Sequence, residues 1–306
     1  MRLVEILKDT DIKIEKDKDT EIRGISISSK EVSDNFIFFA IKGEKTDGNL
    51  YIDEAIKNGA VVIITQEELK KNINALVLKT KDVLKTLSIV SKNFYSNPSS
   101  KLKIIGITGT KGKTTSTHII YSALNNLSIK TSLIGTINYR THNHIISKAK
   151  HTTPLPHELN KILSTSYENG DEAVVMEVSS HALKLGRVDD IEFDIVGFTN
   201  LQSDHLDFHK TKQDYINSKA KLFDLLENSP KKQKTAVLNL DDNFTDVVLP
   251  KIKTARIVSY SINKQSDIKA DDIEMRSDHL IFNLKIFDKK TKVKFPLIGI
   301  YNIYNA

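Results

Sequence analysis

The chain has 306 residues, enough for one large core or two ordinary ones. Hydrophobic residues make up 39% and charged residues 27%, with 12 Gly and 6 Pro, which is typical of a globular protein and excludes a fibrous or low-complexity chain. No run of about 18 apolar residues is present, so we expect no membrane-spanning helix. The lack of cysteine excludes disulfides and thiolate metal sites and fits a reducing cytoplasm, where we expect the protein to act.

The net charge of +6 raises the question of nucleic-acid binding. Nucleic-acid-binding surfaces favour clustered arginines with interleaved aromatic residues. Here lysines stand beside acidic residues, as in KDTDIKIEKDKDTEIR, and the arginines are few and scattered: Arg2, Arg23, Arg140, Arg187, Arg256 and Arg276. We therefore expect solvated lysines and no nucleic-acid partner. The charge pattern does not exclude small phosphate-bearing molecules as ligands.

The first part of the chain alternates short strands and helices. The patterns predict helices at 51–58 and 82–95 and strands at 25–27, 36–41, 61–65 and 76–79. The Ser/Pro stretch SNPSSK, residues 96–101, is typical of a linker. We therefore predict a first domain of mixed α/β type over residues 1–97 and a second over 98–306.

After the linker, strongly apolar strands alternate with helices. The strands are predicted at 103–108, 132–134, 173–178, 195–199 and 235–239. This alternation predicts a mostly parallel sheet covered on both faces, and the short alternating runs after residue 271 predict a small antiparallel sheet. The fold class is therefore α/β. The chain stops at GIYNIYNA, where a new helix has just begun, and we interpret it as truncated there.

The strongest functional signal is a glycine-rich turn between a strand, KIIGIT, and a helix, TTSTHIIYSAL. In a phosphate-binding loop, glycines let backbone N–H groups point into one cavity, Lys113 neutralises β- and γ-phosphate charge, and Thr114 can ligate magnesium. The strict G-x-x-x-x-G-K-[ST] spacing would need glycine at Ile107, whereas the glycines here are Gly106, Gly109 and Gly112. The alternative is a turn with a chance lysine, followed by threonines that only cap the helix.

Further blocks follow the loop motif TGTKGKTT in a fixed order: HTTP (151–154), EVSSHAL (177–183), GRV (186–188), FTNLQSDHLDFH (198–209) and YINSKAKLF (215–223). With the upstream segment ISSKEVSDNFIFFAIKGEKTDG they resemble the Mur ligase family, and in particular its MurE branch, over essentially the whole chain. That resemblance implies an ATP-dependent ligase that adds a diamino acid, meso-diaminopimelate or lysine, to UDP-N-acetylmuramoyl-L-alanyl-D-glutamate through an acyl phosphate. It implies a role in peptidoglycan synthesis, and so in cell shape and division, and a monomeric protein.

The resemblance also assigns the domains and the nucleotide contacts. Residues 1–97 would bind the UDP-muramoyl substrate, residues 98–306 would bind ATP, and the family's third domain, which binds the amino acid, would be absent. The ATP contacts implied in the loop are Gly109, Thr110, Lys111, Gly112, Lys113, Thr114 and Thr115. On the adenine side, the resemblance implies contacts from Asn239, Asn302 and Asn305.

Glu177 stands near the carboxyl end of the apolar strand 173–178, the end at which open parallel sheets bind ligands. A carboxylate there can hold magnesium, and the alternative is a glutamate that simply leaves the core at a strand end. By resemblance, His205 is a catalytic residue and a magnesium ligand, with Thr114 as a further ligand. Imidazole is an unusual ligand for magnesium, and the alternative for His205 is a loop histidine bonded to the backbone.

Lys219 lies four residues from both Tyr215 and Phe223 on a predicted helix, 214–226, and therefore on its buried face. Such a lysine either extends its amine to water or has a function. The resemblance implies that Lys219 is a catalytic residue, carbamylated by carbon dioxide to give an anionic oxygen ligand (N6-carboxylysine) for a second magnesium ion. Ser218 replaces the alanine usual before this lysine.

The resemblance implies contacts to the UDP-sugar-peptide from Thr152, Thr153, Ser179 and Arg187, and to uridine from Ser29 and the loop 44–46. Arg187 suits bidentate anion recognition, although a plain surface arginine is the alternative. Four positions depart from the family pattern: Ser28 replaces Asp, Lys30 replaces Arg, Asn49 replaces His and Ser203 replaces Arg.

Two alternative functions remain at this point. A folylpolyglutamate synthase shares the loop and the chemistry, but lacks a domain of about one hundred residues before the loop. A non-catalytic nucleotide-binding remnant of a Mur ligase would keep the loop without turnover. An ATP-turnover assay separates the remnant from the enzyme.

Overall fold

The structure, a computed structural model, describes residues 1–15, 19–43, 46–69, 73–202, 204 and 207–306. The chain forms two compact units. The first comprises Met1–Pro98, Leu155–Lys161 and Leu185–Asp190, and the second comprises Ser99–Pro154, Ile162–Lys184 and Ile191–Ala306. Two short stretches that follow the linker in sequence are therefore counted with the first unit.

The first unit carries a four-stranded parallel sheet in the order β1-β2-β3-β4. Its elements are α1 (Leu3–Ile6), β1 (Gly24–Ser26), β2 (Phe36–Phe39), α2 (Ile52–Lys57), β3 (Ala60–Thr65), β4 (Leu76–Lys79) and α3 (Val83–Phe94). The start of α3 is set by Asp82, whose carboxylate accepts from the backbone N–H groups of Leu84 and Lys85. One core joins α1, α3 and the sheet through buried aliphatic and aromatic residues, among them Leu3, Ile37, Phe39, Val62 and Leu87.

The elements that follow in the chain begin at the predicted linker, where a short helix is found instead. They are α4 (Pro98–Lys101), β5 (Lys103–Thr108), α5 (Lys113–Asn126), β6 (Thr131–Ile134), β7 (Asn138–Arg140), β8 (Ile145–Lys148), α6 (Pro156–Glu168), β9 (Ala173–Glu177), α7 (Ser180–Lys184), β10 (Ile195–Phe198), α8 (Lys212–Asn228), β11 (Thr235–Asn239), α9 (Phe244–Val248), β12 (Arg256–Ser261), β13 (Ile268–Met275), β14 (Leu280–Ile286), β15 (Lys289–Phe295) and α10 (Tyr301–Asn305).

In the second unit, the described residues form one eleven-stranded sheet in the order β15-β14-β13-β12-β11-β10-β5-β9-β6-β7-β8. Its centre, from β6 to β13, is parallel, whereas β7–β8 at one side and β14–β15 at the other are antiparallel. The predicted α/β fold class is confirmed. The antiparallel strands continue the large sheet, and do not form a separate one.

The central strands are buried because helices cover the sheet. All five residues of β9 and five of the six residues of β5 are buried. On the α5 face, Ile105, Ile107, Leu133 and Val175 pack against Tyr121. The carboxyl ends of β5, β9, β10 and β11 meet at one edge, and that edge carries most of the predicted site.

The outermost strand, β15, is rich in lysine. Its sequence KKTKVKF contains Lys289, Lys290, Lys292 and Lys294, all exposed, while Val293 and Phe295 turn toward a small core. Within the described ranges, none of the helices combines the length and apolar character needed to cross a bilayer.

Candidate active site

The loop between β5 and α5 depends on two glycines. Gly109 has φ +150° and Gly112 has φ +85°. A Cβ on Gly109 would lie 1.9 Å from Oγ1 of Thr199, and one on Gly112 would lie 2.3 Å from Oδ1 of Asn305. Gly112 is also the residue that precedes the first turn of α5. The loop therefore folds back tightly and directs the start of α5 into the site.

We expect Gly112→Ala to weaken ATP binding at least tenfold, because the left-handed backbone costs about 1–2 kcal/mol and Asn305 must move. Calorimetric titration with ATP and urea denaturation measure the two effects. Gly170→Ala is the matched control: its φ is +79°, and its Cβ would meet only Lys130 Nζ at 4.0 Å. Gly170→Ala should lose similar stability and bind ATP normally. Unchanged ATP binding by Gly112→Ala would contradict the role given to the loop.

Lys113 lies folded over the loop. Its Nζ donates to the carbonyl oxygens of Gly109 at 2.9 Å and Thr110 at 3.0 Å. Burial lowers the pKa of Lys113, and the negative charges of Glu177 and Asp204 oppose this change. The ammonium is thus held beside the loop, where a bound phosphate could replace the carbonyl oxygens as its acceptor.

Glu177, at the end of β9, is 1% exposed, and both of its carboxylate oxygens accept hydrogen bonds. It accepts from Oγ1 of Thr114 at 2.9 Å, from the backbone N–H of Thr136 at 2.8 Å, and from Oγ1 of Thr136 at 3.1 Å. A Cβ on Gly135 would lie 2.4 Å from its Oε1. The carboxylate and the Thr114 hydroxyl are hard oxygen donors side by side, which fits magnesium. Thr136, which was not predicted as a site residue, is the second residue after the buried strand β6.

Lys219 is 1% exposed and does not reach solvent. Its Nζ donates to the Gly109 carbonyl at 2.8 Å and lies 4.5 Å from the centre of the Tyr215 ring. The side-chain nitrogens of Lys219 and Lys113 thus share one carbonyl oxygen as acceptor. Burial lowers the pKa of Lys219 well below its ordinary value, and the charge of Lys113 lowers it further. This environment favours the neutral amine.

The loop is braced by the end of β10 and by α8. Asn200 accepts from the Lys111 N–H at 3.0 Å, and Thr110 Oγ1 hydrogen-bonds Tyr215 Oη at 3.0 Å. Lys111 Nζ lies 3.7 Å from Asp204, and Thr115 is half-buried in the first turn of α5. Asn200, Asp204 and Tyr215 were not predicted as site residues, because only the tertiary structure brings them to the loop.

Three of the predicted substrate residues lie beside Glu177. Thr153 Oγ1 donates to the Glu177 carbonyl at 2.9 Å and accepts from the Ser179 N–H at 3.1 Å. Oγ1 of Thr152 lies 3.1 Å from Oγ1 of Thr136. The HTTP and EVSSHAL blocks, 24 residues or more apart, are therefore joined at the same strand end.

Ser29 and Arg187 belong to the first unit. Ser29 is buried; its hydroxyl donates to Glu54 at 2.6 Å, and its carbonyl accepts from Asn58 at 2.9 Å. Asn49, which replaces a histidine of the family pattern, accepts from the Thr65 hydroxyl at 2.7 Å. Of the loop 44–46, only residue 46 lies within the described residues.

The side chains of the predicted adenine-side asparagines make hydrogen bonds within the chain. Asn239, at the end of β11, donates to the Thr199 carbonyl at 2.8 Å, and Asn302 donates to the Ile298 carbonyl at 2.8 Å. Asn305 donates to Asn302 Oδ1 at 3.0 Å and lies against the phosphate loop. His205 and Ser203 lie outside the described residues, so the structure does not test the predicted histidine ligand.

Two family models match the chain. Residues 107–306 match the model described as "Mur ligase middle domain", and residues 21–99 match "Mur ligase family, catalytic domain". The first match alone covers more than half of the chain. The chain belongs to the Mur ligase family.

Several relatives within this family carry the name of one kind of ligase. The chain is 41% identical over 313 residues to a Clostridium tetani protein named UDP-N-acetylmuramoyl-L-alanyl-D-glutamate--2,6-diaminopimelate ligase; the match covers 100% of this chain and 62% of that protein. A solved structure of a ligase of that name has a TM-score of 0.81 at 27% identity, over 94% of this chain and 58% of that one. A Thermotoga maritima MurF ligase in complex with ADP has a TM-score of 0.64 at 22% identity, over 92% and 60%, and shares the fold. The chain spans 62% of the length of the curated Clostridium tetani relative and 58% of that of a Clostridium acetobutylicum relative.

Proposed function

We propose that the chain is the acid-activating part of an ATP-dependent amide ligase that extends UDP-N-acetylmuramoyl-L-alanyl-D-glutamate by a diamino acid, with 2,6-diaminopimelate favoured over lysine by the relatives' names. The observation that carries the proposal is the convergence of Lys113 and Lys219 on the Gly109 carbonyl, next to the Glu177–Thr114 pair. Residues 1–97 would hold the UDP part of the substrate and residues 98–306 the ATP. A monomeric cytoplasmic enzyme of cell-wall synthesis fits this activity.

In the proposed reaction, a carboxylate oxygen of the substrate attacks the γ-phosphorus of ATP, ADP leaves, and an acyl phosphate forms. The amine of the diamino acid then attacks the acyl carbon, an amide forms and phosphate leaves. The Lys113 ammonium would exchange the loop carbonyl oxygens for phosphate oxygens as its hydrogen-bond acceptors. It would then stabilise the negative charge on the phosphoryl group during transfer. The backbone N–H groups at the start of α5 would hold the remaining phosphate oxygens.

Thr152, Thr153 and Ser179 would orient the substrate at the end of β9. Their contacts with Thr136 and with the Glu177 backbone fix the three side chains relative to the carboxylate of Glu177. Held in this way, the acceptor carboxylate would face the phosphate loop. Proximity of this kind contributes a large part of the barrier reduction in two-substrate reactions.

The oxygen donors of Glu177 and Thr114 are of the kind that magnesium prefers. Glu177 and Thr114 would hold one ion and His205 a second, with Lys219 contributing after modification. Bound magnesium neutralises phosphate charge and polarises the phosphoryl group. In this chain, Thr136 keeps the Glu177 carboxylate oriented toward Thr114, which sets the donor pair before any ligand arrives.

Lys219 is proposed to carry a carbamate. The neutral amine attacks carbon dioxide, a C–N bond forms and one proton leaves to solvent, so that the side chain becomes an anion. The environment of Lys219 favours the neutral amine that this step needs. The carbamate nitrogen keeps one N–H, and the hydrogen bond to the Gly109 carbonyl can persist.

The test is to trap the acyl phosphate. The purified chain is incubated with ATP, magnesium, the UDP-muramoyl dipeptide and hydroxylamine, which attacks an acyl phosphate without needing an amino-acid site. We expect a hydroxamate that depends on ATP and on the dipeptide. ADP release without hydroxamate, or no nucleotide binding at all, would refute the acid-activating role.

A further inference from the structure

A polar strip beside the candidate active site has no part in the reaction proposed above. It consists of His118 and the Tyr121 ring of α5 and Asn138 and Arg140 of β7, here called the Arg140 cluster; the Tyr121 hydroxyl donates to the Thr141 carbonyl at 3.2 Å. On α5, residues 114, 118 and 121 recur at the helical repeat, so His118 and Tyr121 continue the face that carries Thr114. The cluster therefore extends from the phosphate loop along α5.

The strand side of the cluster lies on the same face of the sheet as Glu177. Arg140 pairs with Leu133 of β6, and Leu133 pairs with Val175 of β9. Val175 and Glu177 are two residues apart on one strand and so share a face, as Asn138 and Arg140 do on theirs. Two strand spacings separate β7 from β9, about 10 Å.

Arg140 carries a charge that the described residues leave unpaired. Its guanidinium carbon lies 5.0 Å from the centre of the Tyr121 ring, while its Nε is buried and has no hydrogen-bond acceptor in the described part of the chain. Oδ1 of Asn138, on the same face of β7, is likewise buried and unsatisfied among those residues. Buried polar atoms are nearly always paired, so the Arg140 Nε–H indicates an acceptor supplied from outside the chain. Asn138 Oδ1 is itself an acceptor and would be matched by a donor group of the same ligand.

The fourth member of the Arg140 cluster is the His118 side chain. The ring is half-buried and makes no hydrogen bond with the residues that the structure describes. Burial lowers the pKa of His118, and the Arg140 cation lowers it too, against the opposite effect of Glu177. A neutral imidazole keeps one N–H to donate, so His118 as well as Arg140 can donate a hydrogen bond to a ligand of the cluster.

We propose that the Arg140 cluster binds an oxyanion, a carboxylate or a phosphate, that the acid substrate carries in addition to the carboxylate it activates. The planar, weakly hydrated guanidinium, backed by the Tyr121 ring, suits two-point binding of such a group. The distance of about 10 Å from the strand of Glu177 keeps this oxyanion away from the phosphoryl acceptor and lets it fix the substrate's orientation. Only the identity of the ligand rests on the proposed function; the binding of an anion does not.

The first experiment is independent of the proposed function. The Nε–H signal of Arg140 is followed by nuclear magnetic resonance, and is assigned by its absence from Arg140→Met. Inorganic pyrophosphate and glutarate are titrated in turn. We expect a saturable shift of that signal with at least one of them. The Nε–H signal of Arg256, which stacks on the Phe287 ring at 5.4 Å, is the matched reference and should not move. An Arg140 signal that does not respond to either anion, or moves only as Arg256 does, would overturn the subsite.

The second experiment identifies the source of the oxyanion by calorimetric titration of the parent, Arg140→Met and Arg256→Met. The probes are the UDP-muramoyl dipeptide, its analogue with the non-reacting carboxylate as a carboxamide, and UDP. We expect Arg140→Met to weaken dipeptide binding roughly 10- to 100-fold and Arg256→Met to leave it unchanged.

A loss confined to the dipeptide assigns the carboxylate, and an equal loss with all three probes assigns a phosphate. Parent-like affinity of Arg140→Met for every probe would overturn the link to the acid substrate. A parent that shows the anion-induced shift but binds none of the three probes would refute the proposed function, while the anion subsite would stand.

Discussion

Replacing Lys113 by methionine should lower the rate of ATP-dependent acyl phosphate formation by about two to three orders of magnitude. Its ammonium is already held beside the loop by the carbonyls of Gly109 and Thr110, so little reorganisation is needed when phosphate replaces them. Methionine keeps the length of the stem but supplies no charge and no donor. The rate is measured by hydroxamate formation in the presence of hydroxylamine.

The matched control for this variant is Lys103→Met. Lys103 begins β5, the strand that leads into the loop, and is exposed. That substitution removes the same charge and should leave the rate within twofold. Urea denaturation checks that both variants fold. Turnover by Lys113→Met equal to that of the parent would remove the basis for assigning the loop to ATP.

Lys219→Ala should lower the rate of acyl phosphate formation at least a hundredfold, and an added small carboxylate should restore part of that rate. If Lys219 acts as a carbamate, alanine leaves a space beside Gly109 that acetate or propionate can fill with an anionic oxygen. If the bare ammonium is the active form, an alkylamine should restore activity instead. The measurement is hydroxamate formation against the concentration of each added acid or amine.

Lys221→Ala is the control on the same helix. Lys221 donates to the Leu183 carbonyl at 3.0 Å, and its removal should leave both the rate and its response to acetate unchanged. Added bicarbonate should not rescue Lys219→Ala, because no amine remains to react. Rescue by an alkylamine alone would exclude the carbamate.

The sequence was sufficient for the parts of the site that are local. The phosphate loop follows from the glycines and Lys113 between a buried strand and a helix, and Lys219 follows from its i±4 spacing to Tyr215 and Phe223. The burial of the Lys219 side chain could also be expected, because the apolar stripe of α8 on which it lies is buried. Periodicity and chain order carry information of this kind.

Partners distant in the chain could not be read in this way. Thr136 meets Glu177 across 41 positions, and Asn200 meets Lys111 across 89, and neither belongs to a local motif. β7, β8 and β12 were also missed. β7 and β8 have three and four residues, and β12 begins with two exposed residues, so their apolar patterns are too short to distinguish them from loops.

The lysines of β15 have a consequence for the behaviour of the protein in solution. The strand ends the large sheet and presents unpaired backbone groups along one side, the arrangement through which sheets recruit further strands. Lys289, Lys292 and Lys294 would present positive charge to another strand docked there, while the amine of Lys290 is paired with Asp271 at 3.2 Å. This edge of the described sheet is thus protected against strand addition by charge repulsion. That protection weakens wherever the amines are acetylated or high salt screens them.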